Sequence, residues 1–263
     1  MRAPPIAASA TLAALLACAA VPAAAQDAAG HIAAGDAARC ERNPHAALAQ
    51  FREALALDSL NYEANWKASR ELADVGKLMP DSMRKARDTV YAEALALAQR
   101  AVRVDSLGAD GHYMVAVAAG RVALTKSAHE RVKSARVVRD EALRAIALDP
   151  KHDGAMHVMG RWNAEIMRLP GLTKFFARTF LGASIFKEAS WDNAIRYFGD
   201  AIQINPQNIY HHLDFAEALV DADRPEEARP HLEEVERLPL GCDVGDPTYK
   251  QQAAELLRKI TRR

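Results

Sequence analysis

The chain has 263 residues, half of them hydrophobic and only 6% aromatic, with 34 basic and 34 acidic side chains. This balance of charge gives no electrostatic support for general nucleic-acid binding, which requires a basic surface. Alanine and leucine outnumber valine and isoleucine, and no alternating Val/Ile/Thr run of strand length occurs. Because alanine and leucine lose little side-chain entropy in a helix, the composition predicts an all-α protein.

The N-terminal segment is arranged like a secretory signal peptide. Arg2 is followed by an apolar run over residues 6–20, and three small alanines at positions 23–25 precede Gln26. A basic start, a short apolar run and a small-residue cleavage site are the parts of such a signal. We therefore expect residues 1–25 to be a signal peptide and the remaining chain to be exported to the periplasm or cell envelope.

Cys18 offers a second interpretation of the same segment. The residues before it, Leu15-Leu16-Ala17, resemble a bacterial lipobox. Lipidation of Cys18 would anchor the mature protein to a membrane. Both interpretations predict export, and they differ in whether the mature chain begins at Gln26 or at a lipidated cysteine.

Cleavage after Ala25 would leave Cys40 and Cys242 in the mature chain. Export permits a disulfide, but these two residues lie near opposite ends of the chain. In an elongated fold their Cα atoms would be too far apart to be bridged. We therefore expect two separate, buried cysteine side chains.

Four segments end in the same way, with an amphipathic stretch that closes on Asp or Asn and then Pro or Ser. They are AQFREALALDS (49–59), LAQRAVRVDS (97–106), EALRAIALDP (141–150) and YFGDAIQINP (197–206). Such recurrence is typical of helical repeat proteins. In the tetratricopeptide repeat, of about 34 residues, the second helix follows the pattern A-x3-F-x2-A-x4-P. The fourth segment matches it throughout, with Ala194, Phe198, Ala201 and Pro206.

Small residues are needed where the two helices of a repeat cross, and an aromatic ring fills the neighbouring space. Ala47, Phe51 and Ala54 match the same pattern, and Gly35 and Gly160 lie at the small position of the first helix. The periodicity predicts a tetratricopeptide-like α-solenoid. Within residues 26–263, its five helix-turn-helix units are expected at 28–61, 62–108, 109–152, 153–208 and 209–242, followed by a capping helix at 247–260.

The fourth unit carries an aromatic insertion over residues 170–190. A proline at its start ends the preceding helix, since proline cannot donate a backbone hydrogen bond. The helix expected after it carries Phe175, Phe176 and Phe180 on one face. We expect this face to pack against neighbouring repeats, and the alternative is docking to a membrane or a partner. Membrane association is predicted only in that case or if Cys18 is lipidated.

The first helices of a solenoid line its concave groove and present equivalent positions in columns. The predicted frames place Trp66, Tyr113 and His157 in one column, and Arg70 and Arg161 in another. Aromatic rings cover apolar side chains while guanidinium groups bind carboxylates. These five residues are the predicted binding site for a peptide or protein partner. Burial of Trp66 and Tyr113 in the core is the alternative.

The sequence carries few signals of catalysis. It contains no GxSxG, GxxxxGK[ST], GxGxxG or CxxC motif, and its histidines lack the i, i+4 spacing that lets two of them share a metal ion on a helix. We therefore predict a non-catalytic scaffold with no catalytic residues, no cofactor and no metal site. The alternative is an enzyme whose site converges in the groove from several repeats.

Four stretches of the chain occur in an order known from one protein family: GHYMVAVAAGR (111–121), HVMGRWNAEIMRLPGLTKFFARTFLG (157–182), ASWDNAIRYFGDAIQINP (189–206) and RLPLGCDVGDPTYKQQAAELL (237–257). Over roughly residues 60–260, the chain thereby resembles the regulator of microtubule dynamics protein family. The Gly160-Arg161-Trp162 triplet is among the most distinctive. The resemblance implies a tetratricopeptide-like fold. It also implies an alternative function, association with microtubules and organelles as in the eukaryotic members, although an exported protein would meet no microtubules.

Overall fold

The computed structural model describes residues 23–123, 126–171 and 184–262. These ranges contain eleven α-helices and two short 3-10 helices, and no β-strand occurs within them. The α-helices are α1 (Ala23–Cys40), α2 (Pro44–Leu57), α3 (Tyr62–Leu78), α4 (Arg84–Val104), α5 (Ala109–Ala123), α6 (Ala128–Leu148), α7 (Asp153–Arg168), α8 (Trp191–Ile204), α9 (Ile209–Asp221), α10 (Pro225–Arg237) and α11 (Asp246–Thr261). The 3-10 helices span Asp81–Met83 and Ser184–Lys187. The predicted all-α class is confirmed.

Consecutive helices form pairs that stack in chain order. Helix α1 packs against α2, α3 against α4, α5 against α6, α7 against α8 and α9 against α10, and each pair also contacts the next. Helix α11 covers the last pair by packing on α9 and α10. Five helix pairs and a C-terminal capping helix therefore form the predicted α-solenoid, and the pairs coincide with the expected units.

Aspartates after the second helices turn the chain back between pairs. The side chains of Asp58, Asp105 and Asp149 each accept a hydrogen bond from the backbone N–H two residues later, at 2.9–3.0 Å. Asn61 and Asn208 then cap α3 and α9 by accepting from N–H groups of the first turn. Because these local bonds compete with continuation of a helix, the recurring Asp and Asn residues mark the unit boundaries.

Aromatic rings pack directly on glycines within the helix pairs. A Cβ added to Gly35 would lie 2.5 Å from the ring of Phe51, and one added to Gly160 would lie 2.7 Å from the ring of Phe198. Both phenylalanines are at most 1% exposed. The predicted small positions are therefore points of close approach, where a side chain would keep the two helices apart.

The two ends of the solenoid meet. A disulfide joins Cys40, the last residue of α1, to Cys242 in the closing segment, residues 238–245, between α10 and α11. Beside it the Arg42 guanidinium donates to the carbonyl oxygen of Gly241 at 2.9 Å. The expectation of two separate buried cysteines is therefore wrong. It assumed an elongated rod, whereas curvature of the stacked pairs brings together residues that are 202 positions apart.

Several predicted features lie outside the described residues. These are Cys18, most of the signal peptide at 1–25, and the insertion face formed by Phe175, Phe176 and Phe180. The last part of the insertion is described: Phe186 is 4% exposed, and its ring lies edge-on to that of Trp162 at 6.4 Å. The described helices include none that combines the length and the apolar character of a membrane span.

Gly160 and Gly199 are helix-interior glycines that differ in packing. Gly160→Ala should lower the free energy of unfolding, because the new methyl group must displace the buried ring of Phe198, and such overpacking costs about 1–3 kcal/mol. Nothing lies within 4 Å of a Cβ built on Gly199. Gly199→Ala should therefore stabilise α8 by about 0.5–1 kcal/mol. Denaturant unfolding of both variants measures the difference, and a stabilising Gly160→Ala would contradict the close crossing.

Candidate functional site on the inner face

The first helices of successive pairs carry the five predicted groove residues. Trp66 and Arg70 lie on α3, Tyr113 on α5, and His157 and Arg161 on α7. Four of these residues are half-buried, whereas His157 is only 5% exposed. We call the surface formed by the exposed parts of the first helices the inner face. His157 lies beneath this face, where it can position other groups but offers little surface to a partner.

Both predicted arginines lie over aromatic rings. The guanidinium carbon of Arg70 is 5.1 Å from the ring centroid of Trp66, and that of Arg161 is 5.6 Å from the ring centroid of Tyr210 on α9. A cation this close to an aromatic face is attracted by the quadrupole of the ring. The structure thus brings Trp66 and Arg70 together and adds Tyr210, a residue that the predicted columns did not include.

Tyr210 also connects the inner face to the C-terminal cap. Its ring stacks on that of Tyr249 on α11, with centroids 4.4 Å apart, and lies 4.6 Å from the ring of His157. The Tyr249 hydroxyl accepts a hydrogen bond from Nζ of Lys77, on α3, at 3.1 Å. A row of contacting side chains therefore runs from α7 across α9 and α11 to α3.

Tyr113 occupies the middle of the array. Its ring lies 4.7 Å from that of His152, the residue before α7. Gly154 leaves room for it, since a Cβ there would lie 2.9 Å from the ring. Burial raises the pKa of the Tyr113 phenol to about 12. The hydroxyl is therefore neutral at physiological pH and can both donate and accept a hydrogen bond.

Charged side chains on α1 and α3 neutralise one another beneath the inner face. Arg39 donates to Glu71 and to Asp74, at 2.9 Å each. Arg70 lies 2.9 Å from Glu71, and Lys77 lies 2.9 Å from Asp74. Burial by itself lowers the pKa of the Arg39 guanidinium, but Glu71 and Asp74 outweigh burial and raise it. Because Glu71 is 0% exposed, its charge must be balanced locally, and this requirement fixes the position of Arg70.

A chain of polar groups links α7 to α9. His211 Nε2 lies 3.1 Å from Asp153, His211 Nδ1 lies 3.0 Å from His157 Nδ1, and His157 Nε2 lies 3.1 Å from Asp214. Arg161 contacts the same Asp214 carboxylate at 3.2 Å. Each ring nitrogen of these two histidines that takes part in the chain therefore lies 3.0–3.1 Å from the other ring or from a carboxylate.

The electrostatics of this chain follow from burial and pairing. Burial lowers the pKa of His157 to about 4, despite its contact with Asp214. Burial would raise the pKa of the Asp214 carboxyl, but Arg161 and His157 outweigh that effect and hold it below its usual range. Burial would also raise the pKa of the Asp153 carboxyl, but hydrogen bonds from His211 and Asn205 outweigh burial and lower it. Near neutral pH the carboxylates are charged and His157 is neutral.

A further set of buried polar side chains holds the turns between pairs. These residues were not among those predicted from the sequence. Asn65, His112 and His212 each contact the backbone carbonyl oxygen six residues earlier, at 3.0–3.1 Å. Each is the fourth residue of its helix, α3, α5 or α9. A polar residue recurring at this position is the sequence signal that would have identified them. Their role is structural, because each ties the start of a first helix to the preceding turn.

The paired side chains of the inner face are of two kinds, aromatic and cationic. Within the described ranges, no group of three or more His, Cys, Asp or Glu side chains is placed to hold a metal ion. Trp66 and Tyr210 have partly exposed rings, and the side chains of Arg70 and Arg161 are 21% and 38% exposed. Ring area and guanidinium donors together are the groups that anchor peptides and proteins at interfaces.

Stacked helix pairs with small residues at the crossings and aromatic rings against them define a tetratricopeptide-type repeat scaffold. A solved tetratricopeptide-repeat protein from Thermus thermophilus superposes with a TM-score of 0.65 at 15% identity, over 88% of this chain and 99% of that one. PilF from Pseudomonas aeruginosa superposes with a TM-score of 0.51 at 14% identity, over 91% of this chain and 92% of that one. These likenesses show the fold.

The chain belongs to the family described as regulator of microtubule dynamics protein 1-3, whose sequence model matches residues 32–261. The resemblance seen in the sequence is therefore confirmed. Regulator of microtubule dynamics protein 1 of Bos taurus is 26% identical over 163 residues, which are 62% of this chain and 49% of that protein. The Homo sapiens protein is 26% identical over 145 residues, or 55% of this chain and 45% of its own. The chain spans about half the length of the curated relatives it matches.

The low pKa of His157 makes the stability of the fold depend on pH. Histidine in an unfolded chain titrates near pH 6.5, so between roughly pH 6.5 and 4 the unfolded state binds more protons than the folded state. The free energy of unfolding should therefore fall as the pH is lowered through this window. For His157 alone the loss should be about 2 kcal/mol between pH 7.5 and 5. Denaturant titrations across a pH series measure it.

Two histidine variants separate this effect from general acid sensitivity. His157→Gln should flatten the dependence, because the variant has no buried imidazole to protonate on unfolding. His45→Gln changes an exposed histidine on α2 and should leave the dependence unchanged. Equal slopes for His157→Gln and the parent protein would contradict the buried chain between α7 and α9.

Proposed function

We propose that the protein is an exported, non-catalytic scaffold that binds a peptide or protein partner on its inner face. The observation that carries the proposal is the pairing of half-exposed aromatic rings with guanidinium groups, Trp66 with Arg70 and Tyr210 with Arg161. The Arg161 side chain is 38% exposed, although Asp214 holds it from below. Side chains held in place before binding lose little conformational entropy when a partner arrives.

The chemistry of these pairs favours an extended segment with both apolar and acidic side chains. The rings of Trp66 and Tyr210 can cover apolar groups, and the guanidinium groups can bind carboxylates or backbone carbonyls. Tyr113, on α5 between them, adds a hydroxyl that donates or accepts. His157 contributes indirectly, because its contact with Asp214 helps to position Arg161.

Two observations support export. Residues 1–25 carry the parts of a signal peptide, and the Cys40–Cys242 disulfide suits an oxidising compartment. Lipidation at Cys18 is the membrane-anchored form of the same proposal. The curated relatives are named for microtubule dynamics, and association with microtubules or organelles is the alternative for a chain that stays in the cytoplasm.

The mature N-terminus tests export directly. Mass spectrometry of the protein purified from its native source should find a chain that begins at Gln26. A diacylated Cys18 would establish the lipoprotein form of the proposal. A chain that retains Met1 would contradict export and favour the microtubule alternative.

Selection from a displayed random-peptide library tests binding by the inner face. Peptides selected on the wild-type protein should bind Trp66→Ala and Arg161→Lys at least about tenfold more weakly, because hot-spot aromatic and arginine side chains contribute more than about 1.4 kcal/mol each. Arg161→Lys keeps a cation beside Asp214 but loses the planar fork of donors. Melting temperatures close to that of the parent protein establish that both variants are folded.

A matched control lies outside the inner face. Arg196 stacks on Tyr197 at 4.0 Å on the second helix α8, and its side chain is 54% exposed. Arg196→Ala therefore removes a comparable ring–cation pair and should leave peptide affinity unchanged. Selected peptides that bind all three variants as well as they bind the parent would contradict the proposed site.

A further inference from the structure

The ends of the solenoid are joined through a short segment of chain. Helix α11 packs on α9 and α10, and among the described helices it forms no broad interface with α1 or α3. The closing segment instead attaches to the first two pairs at three points. They are the Cys40–Cys242 disulfide, the hydrogen bond from Arg42 to Gly241, and the ion pair of Lys77 with Asp243 at 3.1 Å.

Both sides of this junction are shaped for the contact. In the closing segment the Gly241 N–H donates to the Asp246 carboxylate at 2.7 Å, and the Gly245 N–H donates to Asp243 at 2.6 Å. On the other side Arg42 has a φ of 58°, in the left-handed region that L-residues other than glycine seldom adopt. The side chain of Arg42 is the one that reaches the Gly241 carbonyl oxygen. The left-handed conformation of Arg42 is the one that commonly ends a helix, here α1, with the Asn43 N–H donating to the Ala38 carbonyl oxygen at 3.0 Å.

The disulfide is accessible from solvent. Cys40 is exposed and Cys242 is half-buried. Access to a sulfur atom governs the rate at which a thiolate can attack it, and exposed disulfides are the ones that cells use for regulation. The two remaining attachments join partly exposed groups, which hold weakly once the chains are no longer linked.

We propose that the Cys40–Cys242 disulfide is a redox-operated latch that sets whether the solenoid is closed or open. The thiolate of a dithiol reductant attacks Sγ of Cys40, and Cys242 leaves as a thiolate that takes up a proton. The second thiol of the reductant then displaces Cys40 from the mixed disulfide, so the protein gains two thiols and the reductant becomes a cyclic disulfide. The closing segment then separates from α1 and α3.

Opening reaches the inner face through contacts already described. Lys77 binds both Asp243 and the Tyr249 hydroxyl, and Tyr249 stacks on Tyr210, which lies under Arg161. Loss of the latch therefore separates Lys77 from Asp243 and removes one support from the row of rings, while Lys77 keeps its contact with Asp74. The structural change requires no partner, so it can be tested whether or not the inner face binds a peptide.

Hydrogen exchange measured by mass spectrometry on the full chain tests the latch. In the presence of dithiothreitol, peptides that cover residues 238–249 and 70–78 should exchange about tenfold faster or more, because local opening exposes their amides. Peptides within α9 and α10 should change by less than about twofold. Alkylation with a mass readout establishes that Cys40 and Cys242 are both reduced, and Cys18→Ser removes the remaining thiol. Reoxidation should restore the original exchange.

Two variants separate the disulfide from its neighbouring contacts. The double variant Cys40→Ser/Cys242→Ser should exchange like the reduced protein without any reductant. Arg42→Ala keeps the disulfide and removes the hydrogen bond to Gly241, and it should exchange like the oxidised parent. If the double variant does not fold, reduction of the parent protein in place still decides the question. Fully reduced protein with unchanged exchange at residues 238–249 and 70–78 would overturn the latch.

Discussion

The packing of an aromatic ring directly on a glycine within a helix pair is the contact on which the rest of the structure depends. It occurs between Gly35 and Phe51, between Gly76 and Tyr91, and between Gly160 and Phe198. With no Cβ in the way, the two helices of a pair approach closely, and the ring sets how they cross. Each stacked pair is rotated slightly relative to the one before it, and the rotations add up to a curved array. That curvature brings the closing segment back to α1.

The buried charges beneath the inner face determine how neighbouring helices are positioned more than they contribute to the free energy of unfolding. Removing two charges from water costs free energy that their attraction only partly returns. We therefore assign little net stabilisation of the fold to the ion pairs of Arg39 with Glu71 and Asp74. These side chains remain paired only when α1 and α3 keep their relative position. In the same way, the contact between His157 and Asp214 requires a constant position of α7 relative to α9. We infer that these networks define the angle between neighbouring pairs, and with it the shape of the inner face.

The features that the sequence predicted correctly are local ones. Helix endings at Asp and Asn, and the small and aromatic positions of the tetratricopeptide pattern, lie within a single pair, so the order and bounds of the pairs could be derived from spacing alone. The pairing of Cys40 with Cys242 depends on rotation summed over the whole array. No residue encodes that sum locally, so the disulfide could not be derived from the spacing of the repeats.

In the candidate site, too, contacts within one helix could be predicted from the sequence, whereas contacts between different pairs could not. The predicted columns placed Trp66 beside Arg70, because both lie on one helix. They did not include Tyr210 or Tyr249, since those rings reach the inner face from later helices. The burial of His157 was also missed, because the residues that cover it, His211 and Asp214, belong to the next pair.

Closure changes how a repeat array behaves. In an open solenoid each end pair has one neighbour and unfolds more readily than the middle. Here α1 is tied to the closing segment by the disulfide, and the adjoining Arg42 by a hydrogen bond, so the first pair is linked to the last part of the chain as well as packed on the second pair. The residues of the inner face lie between these joined ends, on α3, α5, α7 and α9. A surface held at both ends keeps one curvature, and a partner that fits it does not have to select that curvature from a range of bent forms. The link between α1 and the closing segment thus constrains the shape of the inner face, although neither cysteine belongs to the proposed binding site.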